Sequence, residues 1–458
     1  MTSPRHIAVI DIGKTNAKLA LVDLDTLSEV AVLTRPNVVR SGPPWPHFDT
    51  ERHWAFLLDA LGTFQRDHGV DGISITTHGA SVVLLDQDGA LAAPILDYEH
   101  PIPKAIEAQY DAIRPEFTVT GSPRLTGGLN AGAQLHYQFT TDPDLRARTA
   151  HIIGYPQYWG HRLTGKLAND VTSIGCHTDL WEPYSARLSS LVDSLNIRDK
   201  IATVRKSNDV LGNLTPQIAH LTGLSPDTAV VCGIHDSNAS LYPHLLSQKG
   251  AFSVVSTGTW VVVMSIGGKD VTMDATRDTL INVNANGGSV PSARFMGGRE
   301  FEVIMDGHDF ACEATDAQIV LEQDLMLLPA VAPDTGPFQG QQMAWHGVPP
   351  PYGSGPRAVA LSYYLGMMTD TCLRLTGAQG PTIVEGPFST NPHFLNMLRA
   401  ATDRPVLHST SVTGTSIGAA LLIGPSGGLQ PPPEFKPDGD LGPLAAYAKD
   451  WRRRASTM

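Results

Sequence analysis

The chain has few cysteines and no long apolar run, and each shortage argues against a class of protein. Its 458 residues include four cysteines, which lie far apart and form no Cys-x-x-Cys pair, at positions 176, 232, 312 and 372. This pattern argues against a disulfide framework or a zinc site and predicts reduced, buried thiols in a cytoplasmic protein. No apolar run approaches the roughly 20 residues that a membrane helix needs, so we expect no membrane segment.

Basic residues are also scarce relative to acidic ones. Thirty-three Lys and Arg face 45 Asp and Glu, which gives a formal net charge of −12. Binding to nucleic acid needs a basic surface, so this balance argues against a nucleic-acid partner. The tight basic cluster Arg452-Arg453-Arg454 is interpreted as a solvated tail. The N-terminal residues run into a strand pattern without the features of a signal peptide, which favours a cytoplasmic location.

The length of the chain predicts more than one domain, because one hydrophobic core rarely serves so many residues. Strand patterns alternate with helical patterns, which predicts α/β layers. We expect a first domain over residues 1–245, a second over 246–424, and a Pro/Gly-rich extension outside the core over 425–458. Within the first domain, the strands at 70–77 and 82–85 are expected to form a hairpin with His78-Gly79 at its apex.

Two matching hairpins are the most informative feature of the sequence. In the first, strand patterns flank the turn Asp11-Ile12-Gly13-Lys14-Thr15-Asn16, and in the second they flank Ser256-Thr257-Gly258-Thr259. The first turn contains Gly-Lys-Thr but is no Walker A loop, because Ala8 stands where that loop requires glycine. Two turns of this kind could hold one polyphosphate.

The first turn has the residue types that bind phosphate and a metal ion. Gly13 lets the backbone approach a phosphate, Lys14 offers positive charge, and Thr15 and Asn16 offer donors. Asp11 repels phosphate but can hold Mg²⁺ through water. Each turn taken alone has the alternative of an ordinary solvated turn, and this alternative is the stronger one for the second turn. Their matched positions, with glycine two residues after Asp11 and after Ser256, favour the phosphate interpretation.

Asp236 is the candidate for proton transfer. It follows Gly233 at the end of a strand pattern and opens a helical one, where free backbone N–H groups favour the ionised carboxylate. Such a carboxylate can accept a hydroxyl proton during phosphoryl transfer. A plain helix cap is the alternative, and the two roles are compatible.

Two polar loops are candidates for binding a hydroxylated ligand. His78-Gly79 forms one turn, and Asp97 and Tyr98 lie on a loop after an apolar segment. Sugars need several convergent donors and acceptors, and these loops supply them. A structural or merely exposed role is the alternative for each residue.

The ordered set of these motifs resembles the FGGY family of carbohydrate kinases, within the actin-like ATPase superfamily, over roughly residues 6–424. The matching segments are Asp11-x-Gly13, Thr77-His78-Gly79, Gln157-Tyr158-Trp159, Leu163 to Lys166, Asp170, Ser173, Thr178-Asp179-Leu180, Gly233-x-x-Asp236-Ser237, Ser256 to Thr259 and Gly418-Ala419-Ala420. The resemblance implies two ribonuclease H-like domains with a cleft between them, and ATP and Mg²⁺ as cofactors. It implies that Asp236 is the catalytic base, that Asp11 holds Mg²⁺ through water, with Asp236 a second candidate, and that Ser256 to Thr259 bind phosphate.

Two segments depart from the family pattern. The region expected to bind adenosine contains Gly386, Pro387, Phe388 and Asn391 in place of the usual paired glycines and glutamine. The substrate loop reads Leu96-Asp97-Tyr98-Glu99-His100, where many members have Trp-x-Asp-x-Arg. The sugar is therefore expected to differ from the commonest one, and the Thr-His-Gly turn is similar to that of fuculose and rhamnulose kinases.

The sequence thus predicts ATP-dependent phosphorylation of a hydroxyl of a ketose or related polyol. The expected partners are a small-molecule sugar and ATP, without nucleic acid or membrane, and the assembly state is left open with a homodimer as one alternative. Two other functions stay open. One is an actin-like ATPase that acts as a nucleotide-switched binding protein, and the other is a non-catalytic sugar sensor.

Overall fold

The structure is a computed structural model that describes residues 4–409, 414–424, 429–437 and 439–457. Contacts between residues divide it into two compact units. The first unit comprises Met1–Ser247, Ile281–Ser289 and Thr413–Leu429, and the second comprises Gln248–Leu280, Val290–Val412 and Gln430–Met458. The chain therefore passes between the units several times, whereas the predicted boundaries place all of 246–424 in one domain.

The strands are numbered in chain order. They are β1 (His6–Ile12), β2 (Asn16–Asp23), β3 (Ser28–Pro36), β4 (Val39–Arg40), β5 (His47–Phe48), β6 (Gly72–Thr77), β7 (Val82–Leu85), β8 (His151–Gly154), β9 (Asn169–Asp170), β10 (Trp181–Glu182), β11 (Arg187–Leu188), β12 (Val204–Arg205), β13 (Val210–Asn213), β14 (Ala229–Val231), β15 (Ile234–His235), β16 (Phe252–Thr257), β17 (Val261–Ile266), β18 (Thr279–Val283), β19 (Ser289–Phe295), β20 (Met326–Leu328), β21 (Ala344–His346), β22 (Thr382–Glu385) and β23 (Val406–His408).

The helices are numbered in the same way. They are α1 (Thr50–Asp67), α2 (Lys104–Asp111), α3 (Phe117–Thr120), α4 (Ala131–Thr141), α5 (Leu145–Arg148), α6 (Tyr155–Thr164), α7 (Val171–Ile174), α8 (Leu191–Ser194), α9 (Pro216–Thr222), α10 (Asp236–Ser247), α11 (Gly297–Met305), α12 (Asp316–Glu322), α13 (Gly355–Leu375), α14 (Pro392–Thr402), α15 (Thr415–Ala420) and α16 (Gly442–Ala455), with short 3₁₀ turns at Ala275–Arg277 and Pro387–Thr390.

The first unit is built on a mixed sheet with the strand order β13-β14-β6-β1-β2-β3, in which β15 also pairs with β6. Strand β6 runs parallel to β1, β14 and β15, whereas β1, β2 and β3 pair in antiparallel fashion. Neighbouring parallel strands have their carboxyl ends on the same side of a sheet, so the residues that follow β1, β6 and β15 lie close together. The candidate site lies at these carboxyl ends.

The central strands of the first unit are buried on both faces. Ala8 and Ile10 pack in a cluster with residues of α1 and α6, and the alternate residues Ile7 and Val9 pack in a cluster that includes α15. A strand covered on both sides reads as a continuous apolar run, which explains the sequence of β1.

The predicted hairpin at His78-Gly79 is wrong. Strand β7 pairs with β8, in the register Val82 to Gly154, and not with β6. Both edges of β6 are already occupied, by β1 on one side and by β14 and β15 on the other, so β7 has no free edge to join. His78 and Gly79 therefore follow the carboxyl end of β6, which is an inner strand of the sheet.

The second unit has a sheet with the order β18-β19-β17-β16-β22-β23, and helix α13 is buried along most of its length. The two mixed sheets with helices confirm the predicted α/β class. Among the described residues, no helix has both the length and the apolar character needed to cross a membrane. Three of the cysteines are buried as predicted, but Cys312 is exposed.

The interpretation of the C-terminal segment as an extension outside the core is wrong for α16. Tyr447 and Trp451 of this helix are buried in the main cluster of the second unit, and the Trp451 indole donates to Leu327 O at 2.7 Å. Arg452 is no solvated tail, because its guanidinium donates to Asp370 at 2.9 Å. The prolines and glycines before the helix predicted an extension, whereas the apolar positions 444, 447, 448, 451 and 455 follow a helical period and form a buried face.

Candidate functional site

Three predicted site residues of the first unit lie at adjacent strand ends. Strand β1 carries Asp11 opposite Thr76, β6 ends just before His78, and β15 ends just before Asp236. The His78 amide donates to Ile12 O at 2.8 Å, which ties two of these ends together. The carboxyl ends of neighbouring parallel strands are where α/β sheets usually bind ligands.

Asp236 is the first residue of α10, as the sequence predicted. Its Oδ1 atom accepts from the Ser237 amide at 2.6 Å and lies 3.1 Å from His235 Nε2. Burial raises the pKa of this carboxyl, but the charge and hydrogen bond of His235 outweigh burial and set the pKa below its usual value. The carboxylate is therefore ionised at neutral pH and available as a proton acceptor.

A buried pair behind Asp236 was missed by the sequence analysis. Burial lowers the pKa of His235, but the neighbouring Cys176 thiol and Asp236 raise it well above its usual value. Burial also opposes ionisation of Cys176, yet His177 and His235 lower its thiol pKa to about 5. Two features of the sequence point to this pair, a His directly before Asp236 and a Cys-His dipeptide at 176–177. About 60 positions of the chain lie between these two features.

Asp11 is a half-buried carboxylate with neighbours of both signs. Its Oδ2 atom accepts from Thr415 Oγ1 at 2.9 Å and lies 3.2 Å from Lys18 Nζ. Burial is the main reason that its pKa is raised, Lys18 opposes the rise, and the charge of Asp236 adds to it. The two carboxylates therefore interact, and a cation beside them would relieve that repulsion.

The carboxylates of Asp11 and Asp236 suit Mg²⁺ better than a metal ion that is bound by protein side chains only. In the part of the chain that the structure describes, no cluster of three or more His, Cys, Asp and Glu has an arrangement suited to a metal ion. Mg²⁺ usually keeps several waters and binds one or two carboxylates together with substrate phosphates. Asp11 and Asp236 match that requirement.

His78 presents an unsatisfied nitrogen at the same edge. Its ring is buried among Phe48, Tyr98 and Tyr155, with centroid distances of 5.1, 5.1 and 5.2 Å. The Nδ1 atom bonds Gly79 O at 2.9 Å, and within the described ranges Nε2 has no partner. Burial lowers the pKa of this imidazole, which favours the neutral form. A buried nitrogen without a partner is a natural contact for a ligand.

Lys14 reaches the predicted sugar loop. Its ammonium pairs with Asp97, lies 3.0 Å from Glu99 Oε2, and sits 4.7 Å from the ring centroid of Tyr98. The structure thus joins the first turn to the loop that holds Asp97 and Tyr98. The predicted contact of Lys14 with phosphate stays a prediction, and it competes with these ion pairs.

The rest of the first turn is fixed by its backbone. The Gly13 amide donates to Asn16 O at 2.9 Å, and the Asn37 side chain donates to Gly13 O at 2.8 Å. Thr15 and Asn16 are exposed, so their side chains are accessible to a ligand. Their predicted phosphate contacts stay predictions.

In the second unit, the predicted phosphate turn and adenosine segment lie side by side. Strands β16 and β22 pair in parallel with Ser256 opposite Glu385. Thr257 Oγ1 accepts from the Phe388 amide at 3.1 Å. Gly386 has φ of 79°, and a Cβ there would lie 2.0 Å from Thr257 O, so only glycine allows this approach. Pro387 starts the short 3₁₀ turn that follows.

The other predicted residues of the second unit differ in their freedom to bind. Gly258 O accepts from the Gly298 amide at 3.1 Å, whereas Thr259 is exposed. The Asn391 side chain caps α14 and donates to Ser362 Oγ at 3.0 Å, so its amide already has protein partners. A nucleotide contact of Asn391 stays a prediction.

Comparison with known proteins places this architecture in a family. Residues 6–242 match the N-terminal domain of the FGGY family of carbohydrate kinases, and residues 249–431 match a carbohydrate kinase FGGY C-terminal domain. Similar curated proteins are the L-fuculokinase of Salmonella typhi, 23% identical over 56% of this chain and 56% of that protein, and the rhamnulokinase of Mannheimia succiniciproducens, 23% identical over 61% and 56%. The matched region thus spans about half the length of these relatives.

Solved structures cover the whole chain. A carbohydrate kinase from Novosphingobium aromaticivorans is 33% identical over 100% of this chain and 99% of its own, with a TM-score of 0.90. A Plasmodium falciparum glycerol kinase with ADP shares the fold at 14% identity, with a TM-score of 0.77 over 99% of this chain and 98% of its own. The chain belongs to the FGGY family of carbohydrate kinases.

Proposed function

We propose that the chain catalyses ATP-dependent phosphorylation of a hydroxyl of a ketose or related polyol. The observation that carries this proposal is the convergence of ionised Asp236, Asp11 and the unpartnered Nε2 of buried His78 at neighbouring strand ends. A base, a metal-associated carboxylate and a sugar contact are the groups that phosphoryl transfer to a hydroxyl requires.

Asp236 acts as the general base in this proposal. The substrate hydroxyl oxygen bonds to the γ-phosphorus of ATP, its proton passes to the Asp236 carboxylate, and ADP leaves with the electrons of the broken P–O bond. The lowered pKa of Asp236 keeps the carboxylate ionised before the reaction. When bound, Mg²⁺ offsets the charge of the ATP phosphates, and Asp11 would hold it through water.

Residues of both units are assigned to ATP by their positions along the family pattern, although the residues of the segment 386–391 differ from that pattern. These are Gly13, Lys14, Thr15 and Asn16 in the first unit, and Ser256, Thr257, Gly258, Thr259, Gly386, Pro387, Phe388 and Asn391 in the second. The hydrogen bond between Thr257 and the Phe388 amide supports a shared role for the two segments of the second unit, residues 256–259 and 386–391.

The charges of the first unit favour an uncharged substrate. Lys14 is paired with Asp97 and Glu99, and Lys18 with Asp11, so that with Asp236 the carboxylates outnumber the ammonium groups at these strand ends. A sugar acid would meet repulsion here, whereas a neutral polyol finds donors and acceptors on His78, Tyr98 and the carboxylates. The names of the relatives, which include L-fuculokinase and rhamnulokinase, support a deoxyketose as the first substrate to test.

The test measures ADP release from Mg-ATP in the presence of a panel of ketoses, aldoses, polyols and aldonates. We expect release that depends on an uncharged ketose or polyol and is absent with aldonates. An ATPase rate that no sugar changes would contradict the proposal and favour the nucleotide-switched binding protein. Failure to bind ATP at millimolar concentration would contradict it and favour the sugar sensor.

A further inference from the structure

We propose that His235 is a positioning residue that anchors the Oδ1 atom of Asp236, so that the Oδ2 atom is the one that receives the substrate proton. The inference rests on the proposed kinase function and adds a residue and an oxygen atom that the family pattern does not specify. Its basis is the asymmetric surroundings of the two carboxylate oxygens.

One oxygen of Asp236 is held and the other is not. Oδ1 lies 3.1 Å from His235 Nε2 and accepts from the Ser237 amide at 2.6 Å. Oδ2 has no hydrogen-bond partner among the described residues. The Asp236 side chain is 34% exposed, so this oxygen is accessible to a ligand. The contact between His235 Nε2 and Oδ1 is an ion-pair contact, in which Nε2 carries the hydrogen because a carboxylate oxygen can only accept. The held oxygen fixes the direction in which the free one faces.

His235 is buried, and a hydrogen-bond network holds its backbone. Its residue is 6% exposed, and its backbone amide donates to Thr172 Oγ1 at 2.9 Å. Thr172 in turn donates to the buried Asp170, which also accepts from Ser207 Oγ at 2.9 Å. A network of buried, satisfied polar groups of this kind is rigid. The network therefore holds the backbone of His235, and burial restricts its ring.

Gly79 is required for this arrangement. A Cβ at position 79 would lie 2.6 Å from His235 Nε2, the nitrogen that faces Asp236. Any larger residue must displace the ring or itself. The glycine that the sequence suggested as a substrate contact thus has a second task, which is to leave space for the imidazole.

The buried thiol of Cys176 is another close neighbour of the imidazole. Cys176 is 3% exposed, and within the described ranges the Nδ1 atom of His235 has no partner of standard hydrogen-bond geometry.

The test compares two substitutions at one position. His235→Leu removes this contact, and we expect kcat to fall on the order of 10- to 100-fold, the size of one polar interaction with a charged group, while KM for ATP and sugar changes by less than about threefold. His235→Gln retains an N–H at a similar reach and should recover most of kcat. His220→Gln, on the exposed face of α9, is the matched control and should match the wild type.

A merely structural role for His235 predicts a different pattern. Both substitutions would then lower stability and raise both KM values without rescue by Gln, and this result would overturn the inference. A second variant covers the case in which His235→Leu does not fold. Gly79→Ala displaces the ring by less, and the inference requires that it lowers kcat more than it raises either KM.

If His235→Leu retains kcat while Asp236→Asn loses it, the inference about His235 is overturned and the proposed function is not. Full activity of both variants would overturn the proposed function as well. The two failures are therefore distinguishable in one set of measurements.

Discussion

We expect Glu300 to make the stability of the second unit depend on pH. This residue of α11 is fully buried, its Oε1 accepts from the Ala332 amide at 3.3 Å, and in the described part of the chain Oε2 has no partner by distance and angle. Burial raises the pKa of this carboxyl from 4.5 to about 7. The folded protein therefore binds this proton more tightly than the unfolded chain does.

The sign of the effect follows from that difference. The stabilising contribution of protonated Glu300 is fully present below pH 4.5 and is lost as the pH rises through about 7. The gap between the two pKa values corresponds to at most about 3 kcal/mol of unfolding free energy. For a unit of this size, that equals a shift in Tm of roughly 6–12 °C.

Calorimetry of the wild type and Glu300→Gln at pH 5 and pH 8 measures the effect. Gln is uncharged at both pH values, so the transition of the second unit should be similar in the two proteins at pH 5, and higher in the variant at pH 8. Glu302→Gln, on the exposed side of the same helix, is the control and should follow the wild type. A difference between Glu300→Gln and the wild type that is constant from pH 5 to pH 8 would refute the reasoning.

Two further predictions concern the first turn and the C-terminal helix. Lys14→Met should raise KM for the sugar roughly three- to tenfold in steady-state kinetics, because it removes the ion pairs with Asp97 and Glu99. A rise in KM for ATP only would instead support the phosphate contact. Trp451→Ala should lower the unfolding free energy by about 3–5 kcal/mol in urea denaturation, because its indole is buried. Lys449→Ala on the exposed face should change it by less than about 0.5 kcal/mol, and equal effects of the two would contradict a core role for α16.

The sequence predicted those parts of the fold and site that depend on local signals. The β-branched run before Gly233 and the polar residues after it predicted that Asp236 would open a helix, and α10 begins there. The two hairpins were also predicted, because each turn separates two strongly apolar strands. In such segments the local preference and the tertiary structure agree.

Features that depend on distant partners were missed. The sequence at His78 is compatible with a hairpin, and only the occupied edges of β6 exclude it. The ammonium of Lys14 can bind either phosphate or carboxylate, and its choice of Asp97 depends on a loop 83 positions away. Similarly, no local pattern joins Cys176 to His235. Long-range pairing of this kind is not encoded in periodicity or turn residues.

Sugar-dependent ADP release by Asp236→Asn tests the central claim most directly. The substitution keeps the size of the side chain and removes its ability to accept the proton as a carboxylate. The account predicts that the variant binds ATP as the wild type does and loses roughly 10²–10⁴-fold in kcat, the usual contribution of a general base. Full sugar-dependent turnover by Asp236→Asn, measured with the same sugar and the same Mg-ATP concentration, would contradict it.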